Sequence, residues 1–160
     1  MFPRTRIHDR ATIHVEAREE TEPNAFSMVW RRPGWETDFV ENRGSDWDRS
    51  PEARLVSTTG LIEAVSGLRL RAVLAHELAH IEAGDHLGEQ WKTGASSRRR
   101  ERSADLRAID ICGNGAAVAG ALLYIFRELA PESRSHIGTH GRATTRANAV
   151  AARLTRDLGL

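Results

Sequence analysis

Apolar and polar residues alternate over 11–17, which is the period of a strand with one buried face. The segments 25–30 and 54–58 predict two further strands in the first third of the chain. Within 11–17, Ile13 and Val15 alternate with polar neighbours, so we expect a half-buried strand. Residues 34–51 are polar, acidic and rich in turn-forming residues, which predicts a surface loop.

After residue 60 the apolar residues recur at helical spacing instead. A long predicted helix, 68–83, is followed by Gly84, a predicted C-terminal cap. Its apolar side chains lie at helical intervals: Leu70, Val73, Leu74, Leu78 and Ile81. The other predicted helices are a short one over 61–65, then 98–111, 116–129 and 143–158. Strands followed by helices predict an α+β fold.

Composition limits the fold and the partners. The 160 residues suit one domain with a single core, and we expect residues 1–160 to form it. A formal net charge of +1 provides no bulk attraction for nucleic acid or anionic membranes, so neither is an expected partner. The basic run 98–100 predicts a solvated face. Cys112 is the single cysteine, which excludes an intrachain disulfide and permits a reducing compartment.

Two segments bear on the expected location. The first ten residues, MFPRTRIHDR, are charged and lack the apolar core of a secretion signal. The longest apolar run, 116–126, is shorter than the roughly 20 residues that a helix needs to cross a bilayer. We therefore expect no membrane span and a cytoplasmic location.

The predicted helix 68–83 contains the pattern His-Glu-x-x-His, formed by His76, Glu77 and His80. Residues four apart lie on one face of a helix, about 6 Å apart along its axis. His76 and His80 can therefore bind one metal ion, which we expect to be Zn²⁺, with cobalt and manganese as alternatives. Glu77 lies at the edge of the same face, where it can act as general base toward a water on the metal.

A catalytic zinc takes three protein ligands, and His86 is one candidate for the third. Its spacing is that of the elongated metzincin motif. That class also has a methionine-containing turn after the zinc helix, whereas Met1 and Met28, the two methionines of this chain, both precede it. His86 is therefore not the predicted ligand.

Glu101 is the better candidate for the third ligand. It lies 21 positions after His80, an interval over which a following antiparallel helix can return a carboxylate to the ion. Asp105 lies one helical turn further on the same face. We predict that Asp105 accepts the second ring N–H of a ligand histidine, which fixes the tautomer of that ring.

Four segments resemble successive motifs of the HtpX and CAAX-prenyl endopeptidase family of gluzincin metallopeptidases, over about residues 23–154. They are 23–26 (PNAF), 56–60 (VSTTG), 73–86 (VLAHELAHIEAGDH) and 101–105 (ERSAD). The resemblance implies a gluzincin fold, with a small N-terminal β-sheet packed on the zinc helix and a C-terminal helical part. It implies His76, His80 and Glu101 as zinc ligands, with Glu77 as general base and Asp105 in support.

The resemblance also implies roles for four residues outside the zinc helix. The family has a late Thr-His-Pro-Ser segment followed by Arg-Ile, where this chain has THGR and then RA. By this likeness His140 would stabilise the tetrahedral oxyanion, and Arg146 would pair with acidic groups behind the metal. Asn24 and Ala25 would belong to an edge strand that binds an extended substrate backbone.

The predicted function is that of a zinc-dependent endopeptidase acting on a soluble protein or peptide, or on a substrate that a partner protein brings to it. The alternative is a zincin-fold binding or regulatory module, of toxin or partner-recognition type, with narrow or no hydrolytic activity. A weaker alternative is DNA-associated proteolysis, prompted by the arginines at 98–100 and Arg102. That alternative predicts duplex binding that weakens steeply with salt.

Overall fold

Three strands form one sheet in the order β1-β3-β2. The computed structural model describes residues 12–30, 52–85, 94–125, 128 and 143–159. The strands are β1 (Thr12–Arg18), β2 (Ala25–Trp30) and β3 (Glu52–Thr58). The central strand β3 runs parallel to β1 and antiparallel to β2. All three predicted strands are confirmed, with small shifts at their ends.

The rest of the described chain is helical. The helices are α1 (Thr59–Ala64), α2 (Gly67–Ala83), α3 (Gly94–Cys112), α4 (Gly115–Tyr124) and α5 (Ala143–Asp157). Each of the five matches a predicted helix, although α3 begins earlier than the predicted residue 98. The predicted loop 34–51 and residues 126, 127 and 129 of the predicted helix 116–129 lie outside the described residues. No helix in the described ranges is long and apolar enough to cross a membrane.

Thr58 joins the end of β3 to both α1 and the start of β2. Its buried hydroxyl accepts hydrogen bonds from the N–H groups of Leu61 (3.2 Å) and Asn24 (2.8 Å), and donates to the carbonyl of Glu22 (2.7 Å). A hydroxyl has one hydrogen and two lone pairs, so its full capacity is used. The same side chain therefore caps α1 and holds the residues just before β2 against the sheet.

Alanines fill many of the buried positions of α2 and α3. They are Ala72, Ala75 and Ala79 in α2, and Ala104 and Ala108 in α3. Small side chains at a helix contact permit a close approach of the two axes. Of the apolar residues at helical spacing in α2, Val73 and Ile81 are buried, whereas Leu70, Leu74 and Leu78 are half-buried. The helix packs against α3, α4 and the sheet on different sides, so its buried surface is not a single apolar stripe.

β1 is exposed where its sequence predicts a half-buried strand. Ile13 is 39% exposed and Val15 is 71% exposed. In the parallel register Val15 lies beside Leu55, which is buried, so both are on the same face of the sheet. The difference arises because α2 packs against β2 and β3, while β1 is at the far edge. The prediction of a strand is correct and that of its burial is wrong.

Candidate metal centre

α2 places His76 and His80 one turn apart with their rings turned toward each other. Their Nε2 atoms are 3.1 Å apart. The ring centroids are 4.7 Å apart and the ring planes are nearly perpendicular, at 87°. This is the shared face that the four-residue spacing predicts, and it leaves one nitrogen of each ring directed at a common point.

Glu101 of α3 reaches the same point from the neighbouring helix. Its Oε2 lies 3.4 Å from Nε2 of His76 and its Oε1 lies 3.5 Å from Nε2 of His80. A tetrahedral ion with bonds near 2.0–2.1 Å separates its ligand atoms by about 3.3 Å. The three groups therefore fit one small ion. In the part of the chain that the structure describes, no other cluster of histidine, cysteine, aspartate or glutamate side chains meets this condition.

A buried ion pair between Asp105 and Arg146 lies behind this cluster. Arg146 donates two hydrogen bonds of 2.7 Å to the two oxygens of Asp105, which is fully buried. Another nitrogen of Arg146 lies 3.1 Å from Oε2 of Glu101. Oδ1 of Asp105 lies 2.9 Å from Nδ1 of His76. Arg146 of α5 thus orients two carboxylates, that of Glu101 and that of Asp105.

The charges of this cluster stabilise one another in spite of their burial. Burial favours the neutral acid, but the Arg146 guanidinium and His76 hold the pKa of Asp105 below its usual value. Burial also favours neutral imidazole, but the carboxylates of Asp105 and Glu101 outweigh it and raise the pKa of His76 to about 9. A pKa near 9 favours the protonated imidazole of His76 at neutral pH, so a metal ion that binds this nitrogen would have to displace a proton.

The second histidine has a carboxylate partner that the sequence reasoning missed. Nδ1 of His80 lies 2.7 Å from Oδ2 of Asp85, the residue after the glycine that ends α2. Nε of Arg100 lies 3.7 Å from the other oxygen of Asp85. The prediction that 98–100 is a solvated face is therefore wrong for Arg100, whose side chain is 20% exposed. The signal was the predicted glycine cap, which returns the chain toward the last turn of the helix.

Glu77 is held from the sheet rather than from a helix. Its Oε2 accepts a hydrogen bond of 2.8 Å from the hydroxyl of Ser27, which is buried in β2. The sequence reasoning missed Ser27 as well, although its place in the strand alternation puts it on the face of Ala25, toward α2. The general base predicted from the motif is thus oriented by a residue fifty positions earlier in the chain.

Residues 48–96 match the family model of peptidase family M48. No curated protein and no solved structure matches the chain. The M48 match covers less than half of the sequence and contains His76, Glu77 and His80. It supports a zinc metallopeptidase family of the gluzincin type, and the described α+β arrangement is compatible with a small M48 domain.

Three of the residues that complete the cluster lie beyond the segment matched to M48. They are Glu101, Asp105 and Arg146. Their association with the M48 motif comes from the packing of α3 and α5 rather than from the matched sequence. Asp85 lies within the matched segment.

Asn24 and Ala25 lie where β2 begins, and they differ in what their backbones contact. The N–H of Asn24 donates to the Thr58 hydroxyl, and its carbonyl accepts from the Thr58 N–H at 2.9 Å. The backbone N–H and carbonyl of Asn24 are therefore directed at β3. Backbone groups alternate in direction along an antiparallel strand, so those of Ala25 are directed at the opposite edge of β2. Of the two predicted substrate-binding residues, Ala25 has the orientation that strand addition requires.

The remaining predicted site residue, His140, lies outside the described residues, as does the rejected ligand His86. The role of His140 at an oxyanion stays a prediction from the sequence resemblance.

Proposed function

We propose that this protein is a zinc-dependent endopeptidase of the M48 type, with a single gluzincin domain and a resemblance to the HtpX and CAAX-prenyl endopeptidases. The observation that carries the proposal is the convergence of His76, His80 and Glu101, with separations of 3.1 to 3.5 Å that suit one tetrahedral ion. The match to family M48 over the motif segment supports it independently.

His76, His80 and Glu101 would hold the ion, leaving one coordination position open to water or substrate. A zinc ion bound there would act as a Lewis acid, lowering the pKa of a water and polarising the scissile carbonyl. The protein supplies what surrounds that chemistry. Asp105 and Arg146 orient two of the three ligand groups and keep their charges balanced in a buried setting.

Glu77 is the proposed general base. It follows the first ligand directly in α2, so its carboxylate lies at the edge of the metal face. It takes a proton from the attacking water and transfers it to the amine nitrogen that leaves when the peptide bond breaks. The hydrogen bond from Ser27 restricts the carboxylate to one orientation, which reduces the reorganisation needed before proton transfer.

The substrate is proposed to be an extended protein or peptide segment that pairs with β2. Among the described strands β2 has β3 as its one neighbour, and Ala25 directs its backbone groups at the other edge. An added strand there would pass over the helix face that carries Glu77, because Ser27 of β2 contacts that residue. His140 is proposed, on the resemblance alone, as a donor to the oxyanion.

The Glu77→Gln variant tests the proposal. We expect zinc content equal to wild type and hydrolysis of an unfolded protein reduced by about 10²- to 10⁴-fold, because the amide cannot accept the proton. Glu63→Gln is the matched control, since Glu63 is exposed on α1. Retained hydrolysis in Glu77→Gln would contradict the mechanism. A wild-type protein that binds zinc without cleaving any unfolded protein would support the binding-module alternative instead.

A further inference from the structure

We propose that the C-terminal cap of α2, formed by Gly84 and Asp85, is part of the metal centre, with Asp85 as the positioning residue for His80. This inference rests on the proposed function, since it assumes that His80 is a metal ligand. It extends that function to two residues that neither the motif nor its helical spacing identifies.

The cap brings Asp85 back to a residue five positions earlier. Gly84 has a φ of 68°, in the left-handed region, and its N–H donates to the carbonyl of Ile81 at 3.0 Å. The N–H of Asp85 donates to the carbonyl of His80 at 3.1 Å. This pair of reversed hydrogen bonds turns the chain back over the last helical turn. The Asp85 carboxylate then lies 2.7 Å from Nδ1 of His80.

This contact determines which nitrogen of His80 can bind a metal. An ionised carboxylate only accepts hydrogen bonds, so Nδ1 of His80 carries the hydrogen and donates it to Asp85. Nε2 is then left with its lone pair, and it is the atom directed at His76 and Glu101. A carboxylate on the distal N–H also makes an imidazole a better ligand and fixes the orientation of its ring.

Arg100 lies beside the aspartate that contacts His80, as Arg146 lies beside the aspartate that contacts His76. Arg146 pairs with Asp105 and Asp105 with His76, whereas Arg100 lies 3.7 Å from Asp85 and Asp85 contacts His80. Each histidine thus contacts an aspartate, and that aspartate in turn lies beside an arginine. The set of contacts through Asp85 is looser, because Arg100 lies farther from its aspartate and the Asp85 carboxylate is partly exposed.

α3 contributes to the whole arrangement within two turns. It carries Arg100, the ligand Glu101 and the aspartate Asp105. Helix α2 contributes the two histidines and, through its cap, Asp85. The packing of α3 on the C-terminal end of α2 therefore assembles the ligand cluster and both of its carboxylate supports together. A change in how α2 ends would alter the metal site without touching a ligand.

The first test is the zinc affinity of the Asp85→Asn variant, measured by competition with a chromophoric chelator at pH 7.5. We expect the Kd for zinc to rise about 10- to 100-fold, the range typical for loss of such a carboxylate partner. Asp110→Asn is the matched control, because Asp110 is an exposed aspartate of the same helix bundle that pairs with Arg107 and Arg153. The control should bind zinc as wild type does.

A second measurement separates positioning from a general loss of stability. The visible spectrum of the cobalt-substituted protein should change in Asp85→Asn and not in Asp110→Asn, because the ring of His80 is no longer held by a charge. Metal-free Asp85→Asn should unfold at nearly the same urea concentration as the control. The proposal would be overturned if Asp85→Asn lost zinc affinity only because the metal-free variant unfolds more easily, and if its cobalt spectrum were unchanged.

The cap itself is tested by two substitutions at Gly84. Asparagine tolerates the left-handed conformation and alanine does so poorly, so Gly84→Asn should keep the zinc Kd within about threefold of wild type. Gly84→Ala should raise it about tenfold or more. Equal zinc binding by wild type, Asp85→Asn and Gly84→Ala would overturn this inference alone. A wild-type protein without zinc affinity would instead remove the proposed function on which it depends.

Discussion

Arg146 and Asp105 are joined by two parallel hydrogen bonds of 2.7 Å, and both side chains are buried. They lie 41 positions apart, on α5 and α3. The pair connects the last helix of the described chain to the candidate metal ligands, since Arg146 also contacts Glu101 and Asp105 contacts His76. It is therefore a structural link between α5 and the face of α2 that carries His76 and His80.

Arg146→Met should lower the free energy of unfolding by about 3–5 kcal/mol, because it leaves a buried carboxylate without its partner. Urea denaturation of the metal-free protein measures this. Arg153→Met on the same helix is the control: Arg153 pairs with Asp157 and Asp110 at the surface, where ion pairs contribute little. Equal denaturation midpoints for the two variants would show that the buried pair is not a stabilising link.

Ser27→Ala should lower kcat about tenfold while leaving KM nearly unchanged, because it frees the Glu77 carboxylate without altering substrate contacts. Steady-state kinetics on a fluorogenic peptide separates the two constants. Ser57→Ala is the matched control, since Ser57 is buried in the neighbouring strand and its hydroxyl has no hydrogen-bond partner among the described residues. A rise in KM with unchanged kcat would assign Ser27 to substrate binding instead.

Zinc affinity should rise about tenfold per pH unit up to about pH 9 and then level off. The pKa of His76 is raised to about 9 in the metal-free fold, so below that pH the metal must displace one proton. Chelator competition between pH 6.5 and 9.5 measures the slope. Calorimetry in two buffers with different ionisation enthalpies counts the protons released. A Kd that is constant across this range would show that His76 is already neutral before metal binds.

The same raised pKa predicts how the metal-free fold responds to pH. A histidine with a higher pKa in the folded state than its ordinary 6.5 binds its proton more tightly when folded. This contribution to stability is fully present below about pH 6.5 and is lost as the pH rises toward 9. Urea midpoints of the metal-free protein should therefore fall over that interval. His76→Gln should remove the fall, and its persistence in that variant would assign it to another group.

Gly60→Ala should lower the free energy of unfolding by about 1–3 kcal/mol, because an added Cβ would overlap the carbonyl of Thr21. Gly60 also donates its N–H to Glu20, so the segment cannot simply move away. Gly67→Ala is the opposite case, with open space around the added atom at the start of α2. It should raise stability by about 0.4–1 kcal/mol, through a less flexible unfolded chain. Similar urea midpoints for both variants would contradict this account.

Local spacing in the sequence was enough to place His76, Glu77 and His80 on one helix and to order the strands and helices. A helix has a constant 3.6-residue turn, so residues four apart share a face whatever surrounds them. A second local rule, the preference for glycine at the left-handed residue that ends a helix, predicted Gly84 as the end of α2, which the structure confirms. Glu101 was inferred from the number of positions that separate it from His80 and not from a local rule. Its contact with the histidines depends on α3 folding back against α2.

Tertiary packing decided everything that crosses between elements. The contacts of Ser27 with Glu77 and of Arg146 with Asp105 are set by how strands and helices stack. The contact of Asp85 with His80 is set instead by the glycine cap that ends α2. The exposure of Val15 was decided in the same way, because alternation identifies a strand but not what covers it. Sequence period is a property of one element, whereas a distance between two elements depends on the side chains packed between them. The face shared by His76 and His80 can therefore be predicted from the sequence, whereas most of the residues that orient their side chains become known only from the fold.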